Sequence, residues 1–195
     1  RPQRNVVGPA QPRPGMSAVR TLTPNPALDL SARTARVEPT HKLRCSDLQR
    51  HAGGGGINVA RMLHRLGVDV RAHYLAGGVA GAQLTALLAQ EGVPAQCQPI
   101  AGETRENLSV LDKASGQEFR FVMPGPQLTQ QEWQTCLSAM ASLHPVPQWL
   151  VASGSLPPGA PDDFYARLAR QAQNAGVALA LDTSGAALAH AWTRA

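Results

Sequence analysis

The chain has 195 residues, of which 43% are hydrophobic and only 4% aromatic, enough for one domain with a core filled mainly by Leu, Val and Ala. Its net charge of +5 falls to +2 once Arg1, Arg4 and Arg13 of the acid-free leading segment are set aside, and the other cations are scattered, which argues against a nucleic-acid-binding stripe. No stretch approaches the roughly 18 apolar residues of a membrane span, and Cys45, Cys97 and Cys136 are too few and too dispersed for a disulfide framework or a zinc site, pointing to free thiols in a reducing, cytoplasmic setting.

Residues 1–17 are rich in Pro, Gly and Arg and read as a disordered extension, with Met16 resembling a natural start. Val19 to Thr23 reads as a strand that runs into the stiff turn Pro24-Asn25-Pro26. Four glycines, Gly53 to Gly56, lead into a helix from Ile57 to Leu66, with Ile57, Ala60, Leu63 and Leu66 at helical spacing and Gly67 closing it. Val70 to Ala76 is the next strand, and Ala82 to Gln90 the next helix. Thr129-Gln-Gln-Glu132 is a capping box that opens a helix to about Leu143. Trp149 to Ala152 is a strand, Pro161 a first helical position, and Gly176 the stop of that helix after Ala175. Val177 to Leu181 is a continuous apolar run, expected of a central strand covered on both faces. This alternation predicts an α/β fold with a mostly parallel sheet. Two segments break it: the polar, basic stretch of about 32–52, and 105–123, where Asn107 to Asp112 and Gln117 to Met123 form a predicted hairpin. Together they predict a small second sheet off the main layer, suited to a lid or a dimer contact, or else an ordinary surface excursion.

The candidate chemistry lies at strand ends and in these two segments. Four successive glycines let a ligand come close to bare backbone, and the helix behind them presents free N–H groups and a positive dipole end, which suits an anionic guest. Asp29, following the proline turn, either accepts hydrogen bonds from ligand hydroxyls or serves the turn. Lys42, Arg44 and Arg105 either clamp a phosphate or remain solvated surface cations. Ser153-Gly154-Ser155 offers hydroxyls and N–H groups at a strand's carboxyl end, or is a plain connection. Asp182 either faces the ligand or caps the following helix, the cap being the preferred reading. The histidines show no metal-ligand spacing, and neither a Walker A loop nor a dinucleotide fingerprint is present.

Taken in order, Thr23-Pro-Asn-Pro-Ala-Leu-Asp29, Lys42-Leu-Arg-Cys45, Gly53-Gly-Gly-Gly-Ile-Asn-Val-Ala-Arg61, Ala76-Gly-Gly78, Thr104-Arg105-x-Asn107, Phe119-Arg-Phe-Val-Met-Pro-Gly125 and Ser153-Gly-Ser-Leu-Pro-Pro-Gly159 resemble the PfkB-type, ribokinase-like carbohydrate kinases. The resemblance runs from about Val19 to the last residue. It implies a three-layer α/β/α domain over 18–195, with a protruding β lid.

The resemblance implies that Asp29, Gly54 and Asn58 hold sugar hydroxyls, with Ser155 also at the sugar-phosphate site. It implies that Arg44 and Arg105 hold the existing phosphate and that Lys42 reaches the phosphoryl group in transit. The reaction implied is ATP- and Mg²⁺-dependent phosphorylation of fructose 6-phosphate, in a cytoplasmic homodimer joined through the lid sheet. Gly55 stands where the 1-phosphofructokinases usually carry Lys, which tips the substrate toward fructose 6-phosphate. Fructose 1-phosphate and tagatose 6-phosphate are the alternatives within the class, and a non-catalytic sugar-phosphate-binding or dimerising fragment is the alternative outside it. The family's Asn-x-x-Glu motif and its Gly-Ala-Gly-Asp anion hole do not occur in these residues. The expectation is therefore a truncated chain holding the sugar-binding half, without the catalytic base and most of the ATP site.

Overall fold

A computed structural model describes residues 19–192; the extension of 1–17 lies outside the described residues. Strand β1 (Val19–Thr23) is buried along its length. It pairs in parallel with β4 (Val70–Ala76) on one side and β8 (Trp149–Ser153) on the other. β5 (Ala95–Pro99) and β9 (Ala178–Asp182) complete a five-stranded, all-parallel sheet in the order β5-β4-β1-β8-β9. Because side chains alternate along a strand, Leu22 and Leu75 face one layer while Val19, Ala72 and Tyr74 face the other. The first layer is α3 (Gln130–Ala141), α4 (Phe164–Asn174) and α5 (Gly185–Trp192); the second is α1 (Gly55–Arg65) and α2 (Gly78–Gln90). This is the three-layer α/β/α arrangement that the alternation predicts.

The second sheet contains β2 (Ala27–Thr34), β3 (Cys45–Gly53), β6 (Arg105–Asp112) and β7 (Glu118–Phe121), in the order β3-β2-β6-β7. β2 is antiparallel to β3 and parallel to β6, and β6 and β7 form the predicted hairpin. Cross-strand partners share a face. One face carries Asp29 between His51 and Asn107, then Ser31 between Gln49 and Ser109. The other carries Leu30 beside Leu108 and Phe121.

Several elements differ from expectation. Strands β2 and β5 are added, and α2 begins at Gly78 rather than Ala82. Pro161 precedes the helix: Phe164 N–H donates to its carbonyl at 2.9 Å in a turn, and α4 starts at Phe164. Leu66 is exposed at the C-cap of α1 because the helix has already ended. The apolar run in β9 is only half-buried, since among the described residues β9 pairs with β8 alone and stands at the sheet edge. The Thr129 capping box forms as expected, with Glu132 also accepting from Ala101 N–H at 2.7 Å. Cys45, Cys97 and Cys136 are all free thiols. No helix among the described residues is long and apolar enough to cross a membrane.

Helix α1 is fixed at both ends of the site. Arg61 donates through Nε and Nη2 to the Glu91 carboxylate at 2.8 and 2.7 Å, and through Nη1 to the Ala52 carbonyl, just before the glycines, at 3.4 Å. Arg61 holds the Glu91 carboxyl below its ordinary value of 4.5. A depressed carboxylate contributes stability above its unfolded pKa and loses it as pH falls through the folded one. Glu91→Gln is expected to destabilise the chain by about 1 kcal/mol at pH 7. In denaturant titrations the gap to wild type should close as the pH is taken below 4.5; a gap that persists unchanged contradicts the assignment.

Candidate functional site

The glycine loop is pressed against the ends of β1 and β8 and the start of β2. A Cβ on Gly53 would fall on the Asp29 carboxylate, and one on Gly55 would fall on Ser153 Oγ. One on Gly56 would lie 2.6 Å from both the Leu22 carbonyl oxygen and Thr23 Oγ1. Gly54, the N-cap of α1, has φ of 125°, a conformation closed to most side chains. Close packing inside the chain therefore accounts for much of the glycine requirement that the sequence suggested was for a ligand alone. Ile57 N–H donates to Thr23 Oγ1 at 2.9 Å, anchoring the helix start to β1. No acidic residue stands in the first turn of α1, whereas His64 and Arg65 stand in the last. Its positive end is thus uncompensated by side chains where the glycines leave the backbone bare.

Asp29 and Arg105 are brought to this loop by register. Ala27 is the cross-strand partner of both Gly53 and Arg105, and Asp29 lies two residues further along β2. Asn107 Nδ2 donates to Asp29 Oδ1 at 2.9 Å while its Oδ1 accepts from Met123 N–H at 3.1 Å. One carboxylate oxygen is thereby oriented, and the other lies over Gly53. Arg105 donates to the carbonyls of Asn25 at 2.9 Å, Pro26 at 3.4 Å and Met123 at 3.1 Å. These three bonds leave two of the five guanidinium N–H groups for other acceptors. Burial lowers the Arg105 pKa and the nearby Asp29 charge raises it, without removing its positive charge.

The Ser153-Gly154-Ser155 turn closes the other side. Asn25, which is buried, donates from Nδ2 to Ser155 Oγ at 3.1 Å, and its Oδ1 is buried with no partner. Ser153 Oγ donates to Asp182 Oδ2 at 2.9 Å, and Gly154 N–H donates to the Asp182 carbonyl at 2.9 Å. Asp182 therefore ties β9 to the turn after β8 instead of capping α5. Tyr165 Oη and Thr183 Oγ1 both donate to the Gly154 carbonyl, at 2.8 and 3.0 Å.

The expected site residues divide into two groups. Asp29, Gly54, Ser155 and Arg105 gather around the proline turn and the glycine loop. Asn58 is exposed on α1 close by, its Oδ1 3.5 Å from Arg61 Nη1. Lys42 and Arg44 are exposed in the β2–β3 connection, beside the Thr34–Cys45 pair. Five strand residues separate that pair from Asp29, on the order of 17 Å, so one chain does not place these two cations beside Arg105. Asn25, Asn107 and Thr23 are the contributors that sequence reading left without a role. Only the Pro-Asn-Pro turn and the Thr-Arg-x-Asn string could have flagged two of them. Among the described residues no group of three His, Cys, Asp or Glu could hold a metal ion.

Comparison with known proteins shows the family. The chain matches the pfkB family carbohydrate kinase family over residues 25–194. It is 44% identical over 176 residues to the ATP-dependent 6-phosphofructokinase isozyme 2 of Mycobacterium tuberculosis, covering 90% of this chain and 52% of the relative. It is 38% identical over 168 residues to a 1-phosphofructokinase of Xanthomonas campestris, covering 86% of this chain and 53% of the relative. The crystal structure of Escherichia coli phosphofructokinase-2 in complex with fructose-6-phosphate superposes with a TM-score of 0.86 at 40% identity, over 91% of this chain and 58% of that one. The chain thus spans about half the length of the curated relatives it matches. With a family match across most of its length and a ribokinase-like α/β fold shared with solved relatives, the chain belongs to the pfkB family of carbohydrate kinases.

Proposed function

We propose that this chain forms the sugar-phosphate-binding part of an ATP-dependent phosphofructokinase, with fructose 6-phosphate as acceptor. The observation that carries the reading is the register that sets Gly53 and Arg105 on either side of Ala27, with Asp29 two residues on. In this reading Asp29 accepts hydrogen bonds from sugar hydroxyls through the oxygen that Asn107 leaves open. Gly54 and Asn58 border the sugar, and Ser155, positioned by Asn25, contacts it from the opposite turn. The remaining Arg105 N–H groups and the α1 N-terminus neutralise the phosphate. These residues supply binding and orientation, which phosphoryl transfer needs more than covalent chemistry. ATP would supply the phosphoryl group when bound.

Fructose 6-phosphate without nucleotide is expected to bind and to raise the melting temperature. Asp29→Asn and Arg105→Lys should each weaken binding by at least about tenfold. Isothermal titration of the folded variants decides the matter, with fructose 1-phosphate and tagatose 6-phosphate as competitors. Failure of fructose 6-phosphate to bind, or unchanged affinity in both variants, would overturn the reading. Tighter binding of fructose 1-phosphate would transfer it to the 1-phosphofructokinase alternative.

The outer face of the second sheet supports a homodimer as part of the same proposal, which also takes the protein as cytoplasmic. Leu48, Leu108 and Phe121 are exposed there at 51%, 36% and 49%, an apolar group suited to an interface core. In this reading Lys42 and Arg44 act in a site completed by a second copy, since within one chain they stand at the far end of β2 and β3. Sedimentation should show a dimer that Phe121→Glu converts to monomer with its circular dichroism intact. A monomeric wild type or a dimeric variant would contradict it.

A further inference from the structure

Asn25 is a residue of the site whose own hydrogen bonding is incomplete. It stands between Pro24 and Pro26, and a proline ring restricts the residue before it to extended backbone. Arg105 Nη2 donates to its main-chain carbonyl at 2.9 Å. With the backbone held from that side, the side chain reaches the turn after β8, 130 residues away, where Nδ2 donates to Ser155 Oγ at 3.1 Å. The other end of the amide is sealed. Asn25 is only 5% exposed, and its Oδ1 is buried with no hydrogen-bond partner. A Cβ on Gly125, in the segment that leaves β7, would fall on that oxygen. A buried acceptor without a donor costs stability. An apolar side chain in the same space would avoid the cost, so what the amide contributes here is its N–H.

That N–H decides what Ser155 does. A serine hydroxyl has one proton to donate and two lone pairs to accept with. Asn25 occupies a lone pair, which leaves the proton for another acceptor. Ser155 is exposed, so the proton is available to a guest in the site. Arg105 and Ser155 are therefore held by the two ends of one residue, its main-chain carbonyl and its side-chain amide, and both are left with N–H or O–H groups to give. Asp29 is the opposite kind of group, an acceptor. Donors grouped in this way suit an oxygen that carries negative charge, whereas a sugar hydroxyl can donate to Asp29.

We propose that Asn25 is a positioning residue that sets the Ser155 hydroxyl as a donor to a phosphate oxygen of the acceptor substrate, in company with Arg105. The inference rests on the sugar-phosphate reading of the site and adds a division of roles to it: Asp29 accepts from sugar hydroxyls, while Ser155 and Arg105 donate to the phosphate. Asn25 then acts on affinity only through Ser155. A carboxylate at position 25 would draw the Ser155 proton to itself and away from the phosphate.

The test is calorimetric titration with fructose 6-phosphate of Asn25→Ala, Ser155→Ala, the double variant and Asn25→Asp, each checked for folding by circular dichroism. Each alanine variant should lose about tenfold in affinity, and the double variant should lose no more than Ser155→Ala alone. At pH 7 Asn25→Asp should bind more weakly than Asn25→Ala. Its deficit relative to wild type at the same pH should close as the carboxyl takes up a proton, because the protonated group again donates to Ser155. The Asn25→Ala deficit should stay constant over that range. A residue that merely shapes the turn would give losses that add in the double variant, or an Asn25→Asp deficit independent of pH, and either result overturns the proposal. Wild-type affinity of Asn25→Asp at pH 7 also overturns it, since Ser155 would then be donating to residue 25. Ser155→Ala, at an exposed position, keeps the test decisive if the Asn25 variants do not fold: unchanged affinity there sinks the proposal. A wild type that does not bind fructose 6-phosphate overturns the reading of the site and this inference together, whereas a binding wild type with additive losses overturns this inference alone.

Discussion

The site depends on a contact between a side chain and a backbone that has none. The Asp29 carboxylate occupies the space where Gly53 would carry a Cβ. This contact allows β2 and β3 to lie in register at Ala27 and Gly53, and it sets the carboxylate against the entrance to α1. The neighbouring glycines make matching contacts with Ser153, Leu22 and Thr23. A side chain at any of these positions would push the loop off the strand ends and carry the α1 N-terminus with it.

Arg105 has a comparable double use. Its bonds to the carbonyls of Asn25, Pro26 and Met123 join the proline turn, the start of β6 and the exit from β7. Burial favours loss of its charge, but Asp29 opposes that, and a guanidinium remains protonated across the physiological range. The same cation that braces the turn therefore presents its free N–H groups where Asp29 and the helix terminus converge. Asn107 completes the brace by linking Asp29 to Met123. Strands from two different sheets thus meet at one end, in keeping with the rule that open parallel sheets bind ligands beyond their strand carboxyl ends.

The legible parts of the fold were those with one strongly buried face. β1, β4 and β8 stand out because flanking glycines, prolines and amphipathic helices delimit them. β3 exposes its first seven residues and β5 buries none, so neither carries a period that a sequence reader can detect. β9 has an apolar sequence but stands at an edge, and apolarity alone does not distinguish an edge strand from a central one. At the site, the glycines, Asp29 and Arg105 were visible as residue types suited to an anionic sugar. Asn107 was not, because its partner Asp29 is 78 residues away and only strand register brings them together. The separation of Lys42 and Arg44 from Arg105 was hidden for the same reason. Chain order shows that they are cations in the outer segments, whereas the β2–β3 register shows which end they occupy.

The central claim is that bare backbone at residue 53 lets an acid and an arginine share one anionic sugar. Fructose 6-phosphate affinity of Gly53→Ala, measured by calorimetry with Gln173→Ala as a control, tests it most directly, since Gln173 is exposed on α4. The account predicts that the methyl group displaces Asp29 and costs at least about a hundredfold in affinity, with the control close to wild type. Wild-type affinity in a folded Gly53→Ala protein would contradict it.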